Sequence, residues 1–264
     1  MNTLCILLVG DVVGESGLAA LEGLLPATKA HYAAQLAVVN GENAADGFGM
    51  TGDSARRIFA AGADAITTGN HIWEKRDFLP FMEADERILR PANYPAGAAG
   101  RGSATIGKLF ARALLVNLQG REFMTPIDCP FRTFDALYQQ QTQAIVIVDF
   151  HAESPREKEA LAFYLDGRAA AVVGTHTHVQ TADERILPEG TAYITDLGMC
   201  GARDGIIGMD KTICLGRVKT QVAYKMESAK GPAFIQGVAV TIDLARRKAL
   251  SIERWTRTTT PVTP

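Results

Sequence analysis

Along this chain one phrase recurs: a short apolar run, a polar or glycine-containing cluster, then a stretch with helical spacing. The runs at 4–9, 36–39, 65–68, 145–148 and 170–173 hold four to six residues each and are bounded by turn residues. That is the pattern of strands buried on both faces. Between them, 18–34, 53–61 and 155–165 show helical spacing, the last with Ser154 as its N-cap and Pro155 in its first turn. Alternating strand and helix predicts an α/β fold around a central, largely parallel sheet. The stretch 102–120 reads as a hairpin or meander, and 237–242 and 250–255 read as antiparallel strands, so a second sheet is expected. No repeat, low-complexity tract or linker interrupts the chain, which reads as one domain over 1–264 with a frayed tail at 257–264.

Composition narrows the classes. With 264 residues, 47% of them hydrophobic, the chain can bury a sizeable core. A formal charge of −2 excludes a basic nucleic-acid coat or an acidic tail. No basic stripe with interleaved aromatics is present either, so no extended nucleic-acid surface is expected. The run at 4–9 lacks a basic flank and a cleavage site, and it is far shorter than the roughly 20 residues a bilayer requires. No other segment is long and apolar enough, so no membrane association is expected. The four cysteines, Cys5, Cys129, Cys200 and Cys214, lie far apart with no CxxC pair. They read as reduced thiols, Cys5 buried in the first strand, which points to the cytoplasm.

The candidate chemistry changes the picture most. Of five histidines, His71, His151, His176 and His178 each stand just past an apolar run. Asp11, Glu42, Asn43 and Asn70 stand at the same kind of place. Taken singly, each has an ordinary reading. A lone histidine after a strand is more often a hydrogen-bonded structural residue than a ligand. Gly10-Asp11 fits a turn, Gly69-Asn70 a capped helix start, and Glu42-Asn43 a loop before Thr51. His-x-His is stronger, because alternate residues of an extended segment face one side. His31, among polar neighbours in a helical stretch, reads as a surface residue. The coincidence at five strand ends is what carries weight, since loops at the carboxyl ends of strands converge on one edge of an α/β sheet.

This donor set also limits the ion. No thiolate is placed to contribute, which excludes a cysteine-type zinc site. Imidazole, carboxylate and amide oxygen together suit Mn²⁺ or Fe²⁺, and allow Zn²⁺. Seven or eight donors oversupply one tetrahedral ion and fit two divalent ions sharing a bridge, about 3.5–4 Å apart. Two such ions, the carboxylates of Asp11 and Glu42 and a bridging hydroxide leave a charge of about +1, which attracts a phosphodiester monoanion. Bound water acidified towards a pKa of about 7 then supplies the nucleophile.

The stretches GDVVG (10–14), VNGENAADGFGMT (39–51), TTGNHIWEK (67–75), VDFHAESPREKEA (148–160) and VVGTHTHVQTADERILPEGTAYITDLGM (172–199) resemble the calcineurin-like metallophosphoesterases. The resemblance is to their bacterial YmdB-like branch, whose members are similar to cyclic-nucleotide phosphodiesterases. It implies a four-layer α/β/β/α sandwich of two mixed sheets flanked by helices. It implies further that Asp11, Glu42, Asn43 and His178 hold one metal. Glu42, Asn70, His151 and His176 hold the other, with Glu42 as the bridge, and His71 serves as proton donor to the leaving oxygen. Val13 stands where the wider superfamily has a histidine, and Glu42 where it has a bridging aspartate. Neither Arg112 nor Lys211 acquires a phosphate-binding role from the match.

Together these readings predict a dinuclear phosphodiesterase hydrolysing small phosphodiesters, 2′,3′-cyclic nucleotides first among them, by metal-activated hydroxide attack. The alternatives are a phosphomonoesterase or nuclease using the same metals, or a regulatory protein that binds a nucleotide and turns it over slowly. The sequence leaves room for a homo-oligomer.

Overall fold

The computed structural model describes residues 2–108, 111–141 and 144–259. In chain order the elements begin β1 (Thr3–Val9), β2 (Asp11–Val12), α1 (Gly14–His31), β3 (Leu36–Asn40), α2 (Gly52–Ala60), β4 (Ala65–Thr67), α3 (Leu79–Ala84) and β5 (Ile88–Leu89). Next come β6 (Ser103–Lys108), β7 (Ala111–Gln119), α4 (Pro130–Gln139), β8 (Val146–His151), α5 (Pro155–Leu165) and β9 (Ala171–Thr175). The chain continues with β10 (Arg185–Ile186), β11 (Ala192–Ile194), β12 (Met199–Ala202), α6 (Lys211–Thr220), β13 (Ala233–Asp243) and β14 (Lys248–Thr258).

Two mixed sheets form. One has the order β2-β12-β13-β1-β3-β4-β5 with β14 on β13, and the other β10-β11-β9-β8-β7-β6. The buried strand runs are thus shared between two sheets rather than gathered in one central sheet: β1, β3 and β4 run parallel in the first, β8 and β9 in the second. Alternation along β1 shows why its run is apolar throughout. Leu4, Ile6 and Leu8 pack between the sheets against Leu115, Ile147 and Val173. Leu7 and Val9 face the other way, onto Leu21 and Leu25 of α1 and Ile58 of α2. Val116, Val148 and Val172 in turn cover Phe134 of α4 and Leu161 and Leu165 of α5. The layers are therefore helix, sheet, sheet, helix, as the resemblance implies.

The hairpin at 102–120 is present as β6 and β7, and the C-terminal antiparallel pair as β13 and β14. Ser154 Oγ accepts from Glu157 N and caps α5 as expected. Thr51 caps α2 through a reciprocal capping box with Ser54. Two expectations are corrected. Arg257 and Thr258 are ordered in β14, paired with Ile235 and Phe234, and 260–264 lie outside the described residues. Cys5 is half-buried rather than buried, because it sits near the start of β1 beside the exposed Gln35 amide. All four cysteines are free, and His31 is exposed. Among the described residues no helix is long and apolar enough to cross a membrane.

Candidate metal centre

Because β1, β3 and β4 run parallel to one another, as do β8 and β9, their carboxyl ends deliver the polar clusters to one edge where the sheets meet. The first sheet brings Asp11 at β2, Glu42 and Asn43 after β3, and Asn70 and His71 in a 3₁₀ turn (Asn70–Trp73) after β4. The second brings His151 as the last residue of β8, and His176 and His178 after β9. All eight residues singled out from the sequence meet here. Asp11, Glu42 and His151 are fully buried, and Asn43 nearly so.

Glu42 and His151 form the centre. His151 Nε2 lies 3.0 Å from Glu42 Oε1, 3.1 Å from Asn70 Oδ1 and 3.0 Å from His176 Nδ1. Around the rim, Asn43 Nδ2 stands 3.4 Å from Glu42 Oε1 and 3.1 Å from His178 Nε2. Asp11 Oδ1 is 3.9 Å from His178 Nε2, and Asp11 Oδ2 accepts from His176 N at 3.2 Å. Close packing permits this. A Cβ at Gly69 would stand 2.0 Å from the His151 ring, so only glycine leaves His151 its place.

Groups behind the histidines fix which nitrogen carries the proton. Thr175 Oγ1 donates to Asp149 Oδ1 at 2.8 Å, so it accepts from His151 Nδ1 at 3.0 Å. The carbonyl of Ile207 accepts from His178 Nδ1 at 2.9 Å, and Glu153 Oε2 lies 3.1 Å from His176 Nε2. A carbonyl or carboxylate can only accept. In the neutral rings, then, His151 Nε2, His178 Nε2 and His176 Nδ1 are left as bare lone pairs aimed inward. Two of those lone pairs face each other at 3.0 Å beside the Glu42 carboxylate, while Asp11 Oδ1 and Asn43 Oδ1 are buried without a hydrogen-bond partner among the described residues. Repulsion of this kind is relieved by a shared cation. The donors fit divalent metal, and Glu42, His151 and His176 have ligand atoms all within 4.8 Å of one another.

In the metal-free protein protons take that role. Burial acts against charge on His151, but the adjacent Glu42 carboxylate and then Asp11 outweigh it and raise its pKa to about 9. Burial likewise resists ionisation of Glu42, yet His151 pulls its pKa down to about 2. Asp11 is pushed up to about 7 by burial, against the pull of His178 and His151. His176 is pushed down to about 3 by burial and then by His151, so its ring is neutral. A raised pKa for His151 stabilises the metal-free fold below its usual 6.5, and that contribution is lost as pH rises through about 9. Metal binding must expel the same proton. Metal affinity is therefore expected to climb with pH up to about 9, with proton release measurable by calorimetry in buffers of different ionisation heat.

Sequence reasoning missed the support beneath the His176-Thr177-His178 loop. That segment is bent rather than extended, with φ of 103° at His176 and 64° at His178, so the two rings do not converge by strand alternation. Asp196 holds it: its Oδ2 accepts from Thr177 N at 3.1 Å and Thr177 Oγ1 at 2.8 Å, while Lys158 Nζ pairs with it at 2.8 Å. Both charges are essentially inaccessible, and the residues lie 38 apart in sequence. The available signal was a charged residue, Lys158, on the stripe of α5 that Leu161, Ala162 and Leu165 turn inward. Asp196→Asn leaves Lys158 buried beside a neutral partner, and about 3–5 kcal/mol of unfolding free energy is expected to be lost, read by denaturant titration.

A four-layer sandwich with histidine, carboxylate and amide groups at the strand ends belongs to the metallophosphoesterase class of folds, and the comparisons agree. The family model described as "YmdB-like protein" matches residues 7–255, and the chain belongs to that family. It is 45% identical over 251 residues to the 2′,3′-cyclic-nucleotide 2′-phosphodiesterase of Bacillus subtilis (strain 168), covering 94% of this chain and 95% of that one. A crystal structure of a hypothetical protein from Thermus thermophilus superimposes with a TM-score of 0.91 at 38% identity, covering 97% and 99% of the two chains. A novel phosphatase from Mycoplasma pneumoniae gives 0.92 at 32% identity, covering 98% and 94%.

Proposed function

We propose that this protein is a divalent-metal-dependent phosphodiesterase acting on small diesters, with 2′,3′-cyclic nucleotides its substrate class. The carrying observation is that the inward nitrogens of His151 and His176, each oriented from behind, converge with Glu42 within 4.8 Å, while the inward nitrogen of His178 stands beside Asn43 and Asp11 next to them. The relative's name and extent of match support the substrate class. In this reading Asp11, Glu42, Asn43 and His178 hold one ion, and Glu42, Asn70, His151 and His176 the other. Mn²⁺ or Fe²⁺ suits the mixed donors, and Zn²⁺ is compatible. Such ions supply positive charge against phosphoryl oxygens and acidify water. We place the enzyme in the cytoplasm, in keeping with its free thiols. We also treat 1–264 as one domain, in keeping with the core shared between the sheets.

The chain's own residues do the rest. The Glu42 carboxylate is held by the His71 backbone N–H at 3.0 Å, which ties the group that would be shared between the ions to the turn carrying His71. The His71 ring lines the cavity over the centre and packs edge-on against Phe48. It stands outside the three-residue convergence, in a place to give a proton to the departing oxygen. With Mn²⁺ supplied, 2′,3′-cyclic nucleotides are expected to turn over far faster than 2′- or 3′-monophosphates or single-stranded RNA. Faster hydrolysis of a monoester or polymer would replace this reading with the phosphomonoesterase or nuclease one.

A further inference from the structure

A cavity of about 360 Å³ opens over the centre. Small-molecule pockets run from about 300 to 1,000 Å³, so it has room for much more than a phosphate group. The proposed chemistry uses Glu42, Asn43, His71, His176 and His178 and leaves unexplained an apolar part of the lining, Phe48, Ile207, Met209 and Met226, and one cation, Arg217 of α6. Phe48 and Met226 are half-buried and backed by Val13, Met199, Met209 and Cys214, which makes them a supported surface rather than loose side chains. The Phe48 ring sits 5.0 Å from the His71 ring, next to the reacting end of the cavity.

Arg217 is set apart from the other arginines by its place at the cavity, not by exposure. Arg57, Arg87, Arg185 and Arg254 all meet carboxylates. The Arg217 guanidinium has no ion pair or hydrogen bond with another described residue, and it borders the cavity. An unpaired fork of five donors beside an anion-binding centre is suited to a phosphate oxygen.

We propose that this lining is a nucleoside subsite: a base stacks on Phe48 and Met226 while Arg217 pairs with the phosphate that sits at the centre. The proposal rests on the phosphodiesterase reading and adds to it how the substrate is recognised. Stacking is tolerant of base identity, so nucleotides are preferred over base-free diesters with little distinction among the four bases.

Calorimetry on the metal-loaded protein with a nucleoside 3′-monophosphate and with inorganic phosphate tests it. Phe48→Ala and Met226→Ala are each expected to weaken the nucleotide about 10-fold and leave phosphate unchanged. Arg217→Ala is expected to weaken both about 10-fold. Equal losses on both ligands in the two apolar variants, or none, overturn the platform, and unchanged phosphate affinity in Arg217→Ala overturns its role. Rates on the wild type separate the two layers of the argument. Equal kcat/KM for a 2′,3′-cyclic nucleotide and the base-free glycerol 1,2-cyclic phosphate overturns the subsite while the phosphodiesterase reading stands. Phe48-dependent nucleotide binding without any diester hydrolysis sustains the subsite and overturns that reading.

Discussion

Glu42→Gln is expected to hold one metal ion fewer per chain than the wild type and to lose more than about 10³-fold in turnover. Glu42 is completely buried, with Oε1 3.0 Å from His151 Nε2 and 3.4 Å from Asn43 Nδ2, so it faces both halves of the centre, and its Oε2 accepts the His71 N–H. The substitution keeps size and one acceptor and removes the charge that draws two cations together. Lewis-acid stabilisation is worth several kcal/mol, and each ~1.4 kcal/mol is a factor of ten in rate, which sets the magnitude. It also removes the carboxylate that raises the His151 pKa, so proton release on metal binding should diminish. Elemental analysis alongside kcat checks the pair of effects. Retention of both ions at full rate would show that Glu42 does not bridge.

His71→Ala should give the opposite signature. Metal content and unfolding midpoint are expected to hold, while kcat falls by about 10²–10⁴-fold for a cyclic nucleotide, whose leaving group is a poorly acidic alkoxide. The loss should shrink for a nitrophenyl diester, whose leaving group needs no proton. The structure supports this division: Asn70 Oδ1 reaches the His151 nitrogen, whereas the His71 ring turns towards Phe48 and stands 3.5 Å from Glu74 Oε1. The 3₁₀ turn, rather than an extended segment, is what sends the two neighbours in different directions. Equal losses on good and poor leaving groups would make His71 a positioning residue, and loss of metal would make it a ligand.

The strands of the buried core were legible because burial on both faces leaves an uninterrupted apolar run, and the ends of those runs carry the eight residues that the fold brings to one edge. What was illegible depends on partners far along the chain. Asp11–Val12 becomes a strand only by pairing with Met199 and Cys200, and no local pattern announces it. The division into two sheets was visible as a hairpin and a C-terminal pair, yet nothing local says that β8 pairs with β7 rather than β4. Helix α4 was readable in hindsight, since Pro130 opens it and Phe131, Phe134, Leu137 and Tyr138 follow at helical spacing. Helix α6 was not, because Leu215 and Val218 lie exposed and only its Asp210 cap marks it. The Asp149–Thr175–His151 chain and the Lys158–Asp196–Thr177 brace were hidden for the same reason: each joins residues from different elements.

On the proposed function, two divalent ions share Glu42 at this edge. Anomalous scattering from crystals of the Mn²⁺-loaded protein tests it most directly. The account predicts two peaks about 3.5–4 Å apart, one among Asp11, Asn43 and His178, the other among Asn70, His151 and His176, with Glu42 between them. A single peak in fully active, metal-saturated protein, or peaks away from Glu42, would contradict it.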